Sequence, residues 1–150
     1  MFTQKRIVKT AFSKSEIELK LSNVTDSWHS DSSTKPFEGK INANGSFEIY
    51  PTFDYGARNQ LRPKIVGEII EEKSESKVEL LFSLEKTMLY TIFSSVVLCI
   101  IGSIVSYLID FEIKWYVILA FPLVFLVFAA LLYNYKVNKS YQLLCNLLDN

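Results

Sequence analysis

The sequence predicts an α+β chain: a small antiparallel sheet of about four strands, a short N-terminal helix and a C-terminal amphipathic helix, joined to a two-helix transmembrane hairpin. Three observations lead there. Charge is unevenly spread over the 150 residues: residues 1–86 hold 13 Lys/Arg and 13 Asp/Glu, and residues 87–150 hold three of each. Two long uncharged apolar runs lie in that second part. In the first part, from Phe37 onward, apolar residues recur with the period of two that marks strands.

The N-terminus, "MFTQKRIVKT", has no long apolar stretch behind its basic residues, so it does not read as a secretory signal. "SKSEIELKLSNV" opens with Ser13 and carries Glu16 three residues on, the spacing of a capping box. Ile17, Leu21 and Val24 then share a helical face, whereas Ile17, Leu19 and Leu21 alternate as a strand would; the helix is preferred. Residues 26–36, "DSWHSDSSTKP", are polar and Ser-rich and read as a loop. In "FEGKINANGSFEIYP", Asn44-Gly45 separates two alternating segments, a strong hairpin signal. "KIVGEIIEE" and "SKVELLFSLEK" add two strands around the polar turn "EKSES". Residues 1–86 are thus expected to form one helix-plus-sheet region.

Residues 87–109 and 115–135 are 23 and 21 residues long and carry no charge. About 20 apolar residues cross a bilayer core, and neither run has the polar face of a soluble helix. The five residues Asp110 to Lys114 between them are enough only to reverse the chain, so 87–135 reads as a hairpin with its tip at 110–114. Tyr107, Trp115 and Tyr116 flank the tip, and Tyr90, Tyr133 and Tyr135 mark the other end, as interfacial aromatics do. Lys77, Lys86, Lys136 and Lys139 lie near that other end, against Lys114 alone at the tip, which predicts cytoplasmic termini. Asn-x-Ser/Thr triplets at Asn23, Asn44 and Asn138 read as chance on that side. Ser95, Cys99, Gly102, Ser103 and Ser106 form a stripe of small side chains that favours close helix packing. Two partners compete for it: the second helix of the same hairpin, near Ala120 or Ala129, which is preferred, or a helix of another chain. Pro122 lies inside the second run, where membrane helices tolerate a kink. In the tail, residues 136–150, Val137, Tyr141, Leu144, Cys145 and Leu148 fall at helical spacing. Sheet and bilayer both suit such a face; the sheet is preferred, because its apolar side needs a cover.

Catalytic and cofactor signals are weak throughout. His29 is the single histidine and sits in the Ser/Asp loop; with Cys99 and Cys145 far off in other elements, neither a Cys–His pair nor a usual zinc site is expected. Two cysteines are also too few for a disulfide framework. Phosphate-loop, nucleophile-elbow and dinucleotide motifs are missing. Glu68, Glu71 and Glu72 read as solvated acids. Zero formal net charge gives no support to a nucleic-acid partner. Arg58, Arg62 and Lys64 make one local basic cluster, a candidate contact for an anionic partner or lipid headgroup, set against the plainer expectation that nearby acids neutralise it. Neither run holds an Asp, Glu, Lys, Arg or His, which argues against transport and for anchorage.

Over "FEGKINANGSFEIYPTFDYGARNQLRPKIVGEI" the chain resembles an uncharacterised family of small bacterial membrane proteins that pair a β-rich cytoplasmic region with a two-helix membrane hairpin. Phe37, Gly39, Ile41, Phe47, Ile49, Arg58, Asn59, Pro63, Ile65, Gly67 and Ile69 carry the resemblance, with the "SKSE" helix and the amphipathic tail. Gly56 and Ala57 intervene between Tyr55 and Arg58, where the family runs Tyr-Arg-Asn. The resemblance implies a bacterial inner (cell) membrane protein and no activity. The expected function is a non-enzymatic, membrane-anchored binding or accessory module, with no cofactor, the bilayer as partner, and a further protein or a second copy as candidate partner. The alternatives are an immunity or regulatory protein acting against a membrane-acting toxin, and a small enzyme on membrane substrates.

Overall fold

The computed structural model describes residues 2–27, 35–52, 61–71, 75–109 and 115–149. His29, Arg58, Glu72 and the 110–114 tip lie outside these residues. Six strands form one sheet: β1 Thr3–Thr10, β2 Thr25–Asp26, β3 Phe37–Ile41, β4 Ser46–Pro51, β5 Lys64–Glu71 and β6 Ser76–Ser83. Three helices complete the chain: α1 Lys14–Val24, α2 Lys86–Leu108 and α3 Trp115–Asp149. The α+β class stands. The expected sheet of about four antiparallel strands is corrected to six, in the order β1-β6-β5-β4-β3-β2, with β2 parallel to β3 and every other pair antiparallel. Two strands were hidden for different reasons. Strand β2 is two residues long, too short for any pattern. Strand β1 puts Gln4 and Arg6, not apolar residues, on the side where β6 puts Phe82 and Leu80.

The β3–β4 hairpin turns at the Asn-Gly signal. Gly45 has φ 89°, its N–H donates to Asn42 O at 3.0 Å, and Asn42 N–H donates to Ser46 O at 2.8 Å. A residue with a Cβ is strained at that φ, which is why glycine sits there. Helix α1 starts at the predicted capping box, with Ser13 N–H donating to Glu16 Oε2 at 2.8 Å. Lys14 N–H donates to Glu71 Oε1 at 3.2 Å, so Glu71 also serves this helix terminus.

Register sorts the sheet into two faces. Val8, Val78, Leu80, Phe82, Ile65, Ile69, Phe47, Ile49 and Phe37 are buried on one of them. Ile17 and Leu21 of α1 and Tyr133, Val137, Leu144 and Leu148 of α3 join the same core. Each such side chain contributes about 1.5–3 kcal/mol of burial. The tail therefore covers the sheet, and it does so as the end of one unbroken 35-residue helix that also contains the second apolar run. Residues 134–138 contain no glycine or proline to interrupt it. Pro122 is accommodated within the helix.

Helix α3 runs beside β1. Gln4 Nε2 donates to Asn134 Oδ1 at 2.6 Å, Arg6 Nη2 donates to Asn138 Oδ1, and Thr10 Oγ1 donates to Leu148 O at 2.6 Å. From Asn134 to Leu148 a helix rises about 21 Å, and from Gln4 to Thr10 a strand rises about 20 Å. Equal rises let helix and strand stay in step over four successive contacts, the fourth being Arg6 over the Tyr141 ring at 4.6 Å. Near the start of β1, the Phe2 ring meets Tyr133 edge-on at 5.4 Å.

Candidate functional site

Three places were open to a functional reading: the basic cluster, the uncovered sheet face and the hairpin seam. Of the basic cluster, Arg62 and Lys64 are placed and Arg58 is not among the described residues. Arg62 Nη1 lies 2.7 Å from Glu38 Oε1, and its guanidinium stacks over Tyr50 at 5.0 Å. The Glu38 side chain is 4% exposed, so its charge is held against Arg62 away from water. Lys64 Nζ lies 2.8 Å from Glu48 Oε1. Burial and the Glu48 carboxylate push the Tyr50 phenol up to about 12. Both placed cations thus have acids from neighbouring strands as partners. Glu38 and Glu48 were not singled out from the sequence; only the β3–β4–β5 register brings them beside Arg62 and Lys64.

The uncovered face carries alternating charge and small apolar patches. Register sets Lys5, Leu81, Val66, Glu48 and Lys40 in one row across five strands. Ile7, Leu81 and Val66 are 44%, 41% and 37% exposed, large for side chains of their kind. Glu79 accepts from both Lys5 and Lys77, each at 2.6 Å, and these two cations hold its carboxyl down at about 2. Glu68 stands opposite Glu79 and is exposed. The signal that would have revealed β1 here is its β-branched content, Thr3, Ile7, Val8 and Thr10, in place of apolar alternation.

In the hairpin, Ser103 and Ser106 are buried, and Ser95, Cys99 and Gly102 are half-buried. The stripe packs against α3: a Cβ on Gly102 would lie 3.8 Å from Ile118 Cγ2. Ser103 Oγ donates to Cys99 O at 2.8 Å, so its hydroxyl is satisfied within its own helix. A cleft of about 330 Å³ opens between the helices, lined by Ile100, Ser103, Ile104, Tyr107 and Leu119. Cys99 and Cys145 are free thiols. Among the described residues no group of His, Cys, Asp and Glu is arranged to hold a metal ion.

Both helices of the hairpin are long and apolar enough to cross a membrane. Their outer surface is exposed: Phe93 69%, Leu98 68%, Leu108 73%, Phe121 70% and Val124 69%. A core helix of a water-soluble fold would bury such residues. Compared with known proteins, the chain matches no family model, no curated protein and no solved structure.

Proposed function

We propose that this chain is a membrane-anchored, non-enzymatic binding or accessory module of a bacterial inner membrane, spanning it twice with both termini cytoplasmic. The observation that carries the reading is the exposed apolar surface of α2 and α3, joined without a break to a helix end that roofs the sheet. Large apolar side chains exposed along both helices form a surface of the kind soluble monomers rarely present, and lipid is the solvent that suits it. The absence of charge from both runs fits an anchor better than a conduit. Lysines near the sheet end of the hairpin favour the cytoplasm for that end. The sheet is then the working part, presented at the membrane surface to a protein partner or a second copy rather than to nucleic acid.

The test is extraction and topology. The full chain should remain with the membrane pellet through alkaline carbonate washing and float with liposomes after reconstitution. Reporter tags at Met1 and Asn150 should both read as cytoplasmic. Recovery of a folded, monodisperse chain from the supernatant without detergent overturns the anchor, and tags in opposite compartments overturn the hairpin.

A further inference from the structure

We infer that the outer edge of β1 accepts an extended strand of a partner protein in which acidic residues alternate with apolar ones. The inference rests on the anchored-module reading and names the surface and the partner chemistry of that module. In an antiparallel ladder, successive residues direct their backbone groups alternately toward and away from the paired strand. Leu84 N–H donates to Phe2 O at 3.1 Å, so the even-numbered residues of β1 face β6. Thr3, Lys5, Ile7 and Lys9 therefore turn their N–H and C=O groups outward. The Tyr141 hydroxyl reaches Ile7 O from that outer side at 3.4 Å, in keeping with this parity, and a pairing strand would take over that acceptor. Among the described residues no strand pairs with this edge.

The side chains of those same residues stand on the uncovered face. Lys5 is 62% and Ile7 is 44% exposed, and Lys9 is exposed as well. Lys77 stands opposite Lys9 on the same face, while Arg6 turns to the helix-covered side. On this face Lys5 and Lys77 share the Glu79 carboxylate, and Lys9 is exposed. The edge is thus cationic at Lys5 and Lys9 and apolar at Ile7, where Leu81 extends the apolar surface diagonally on β6. A strand that pairs here gains main-chain hydrogen bonds, and cross-strand partners of opposite charge decide which strand is preferred. A second copy is a poor occupant. Two β1 edges would bring Lys5 and Lys9 of each chain along one seam, with no acid on either strand. Edge lysines deter self-association in this way while leaving an oppositely charged strand acceptable.

The experiment uses the full chain in non-ionic detergent micelles. Two fluorescent peptides are titrated by anisotropy, one alternating glutamate with valine and one alternating lysine with valine. The glutamate peptide should bind at least about tenfold more tightly, and its affinity should fall as salt rises. Ile7→Pro removes an outward N–H and leaves the even-numbered bonds to β6, so binding should be lost with the circular dichroism unchanged. Lys5→Gln with Lys9→Gln should bring the two peptides to within about threefold of each other, and it decides the matter if Ile7→Pro does not fold. Equal affinities for both peptides, no binding of either, or a doubly substituted chain that keeps the wild-type preference overturns the inference. Those results leave liposome flotation unaffected, so failure of the edge is distinguishable from failure of the anchor.

Discussion

The ring of Phe47 fills the space that a side chain on Gly67 would need. The two residues are opposite each other on β4 and β5, and a Cβ on Gly67 would fall 2.1 Å from Phe47 Cζ. Phe47 is 1% exposed and cannot swing out without leaving the core. Gly67→Ala should therefore destabilise the sheet by about 2–3 kcal/mol, as overpacking of a filled core does. In a Phe47→Leu background the same substitution should lose much less, and thermal unfolding of the four chains of this double-mutant cycle measures the coupling.

The two ion pairs of the basic cluster should differ in weight. Arg62→Ala leaves the Glu38 carboxylate buried without its guanidinium and should destabilise by about 2–3 kcal/mol, discounted because Arg62 is itself partly exposed. Lys64→Ala breaks a pair whose members are 30% and 38% exposed and should change stability by less than about 1 kcal/mol. Denaturant unfolding in micelles reads both.

Glu79 makes stability fall in acid. Its carboxyl titrates at about 2 in the fold, because Lys5 and Lys77 donate to it, against an ordinary value of 4.5. A depressed folded value means that the contribution is complete above the unfolded value and is lost as pH falls through the folded one. Melting temperature should therefore decline between about pH 4.5 and pH 2, and Glu79→Gln should flatten that part of the profile. High salt should blunt the same slope in the wild-type chain.

Phase along α3 should matter more than composition. One alanine inserted after Val137 turns everything beyond it by about 100° and moves Leu144 and Leu148 off the sheet. The insertion should expose the core, measured as faster amide exchange in β1 and β6. An insertion of four residues, close to a full turn, should restore much of the protection.

Gly102→Ala gives the opposite outcome to Gly67→Ala. The added methyl would meet Ile118 Cγ2 at 3.8 Å, an ordinary contact. Removing a helix-interior glycine should then be neutral or stabilising by up to about 1 kcal/mol. Alanine here should leave the mobility of the chain on non-denaturing gels unchanged, because the stripe faces α3.

What the sequence makes legible depends on how local the cause is. The two apolar helices, the capping box at Ser13 and the hairpin at Asn44-Gly45 each rest on a few adjacent residues, and all appear in the structure. Strands β3 to β6 were legible because alternation records a single buried face. Strand β1 escapes that logic. Arg6 and Gln4 lie where alternation calls for apolar residues because their partners are Asn138 and Asn134, some 130 positions away. The same distance hides the acids that neutralise Arg62 and Lys64, since only strand register reveals them. The continuity of α3 was present in the sequence as the lack of any helix breaker near Lys136, a signal masked by the change from apolar to amphipathic pattern.

The order of manufacture on the ribosome follows from where β1 finds its neighbours. The strand is made before its ladder partner β6, and the groups that seal its inner face belong to Asn134, Asn138 and Leu148, later still. Every one of those contacts spans the two oily helices or most of the residues before them. Strand β1 can pair with β6 once that strand is made, but its inner face stays unsealed until the far end of α3 swings back. Folding of the globular half is thereby subordinate to disposal of the helical half, and a chain whose helices go astray has no roof to close.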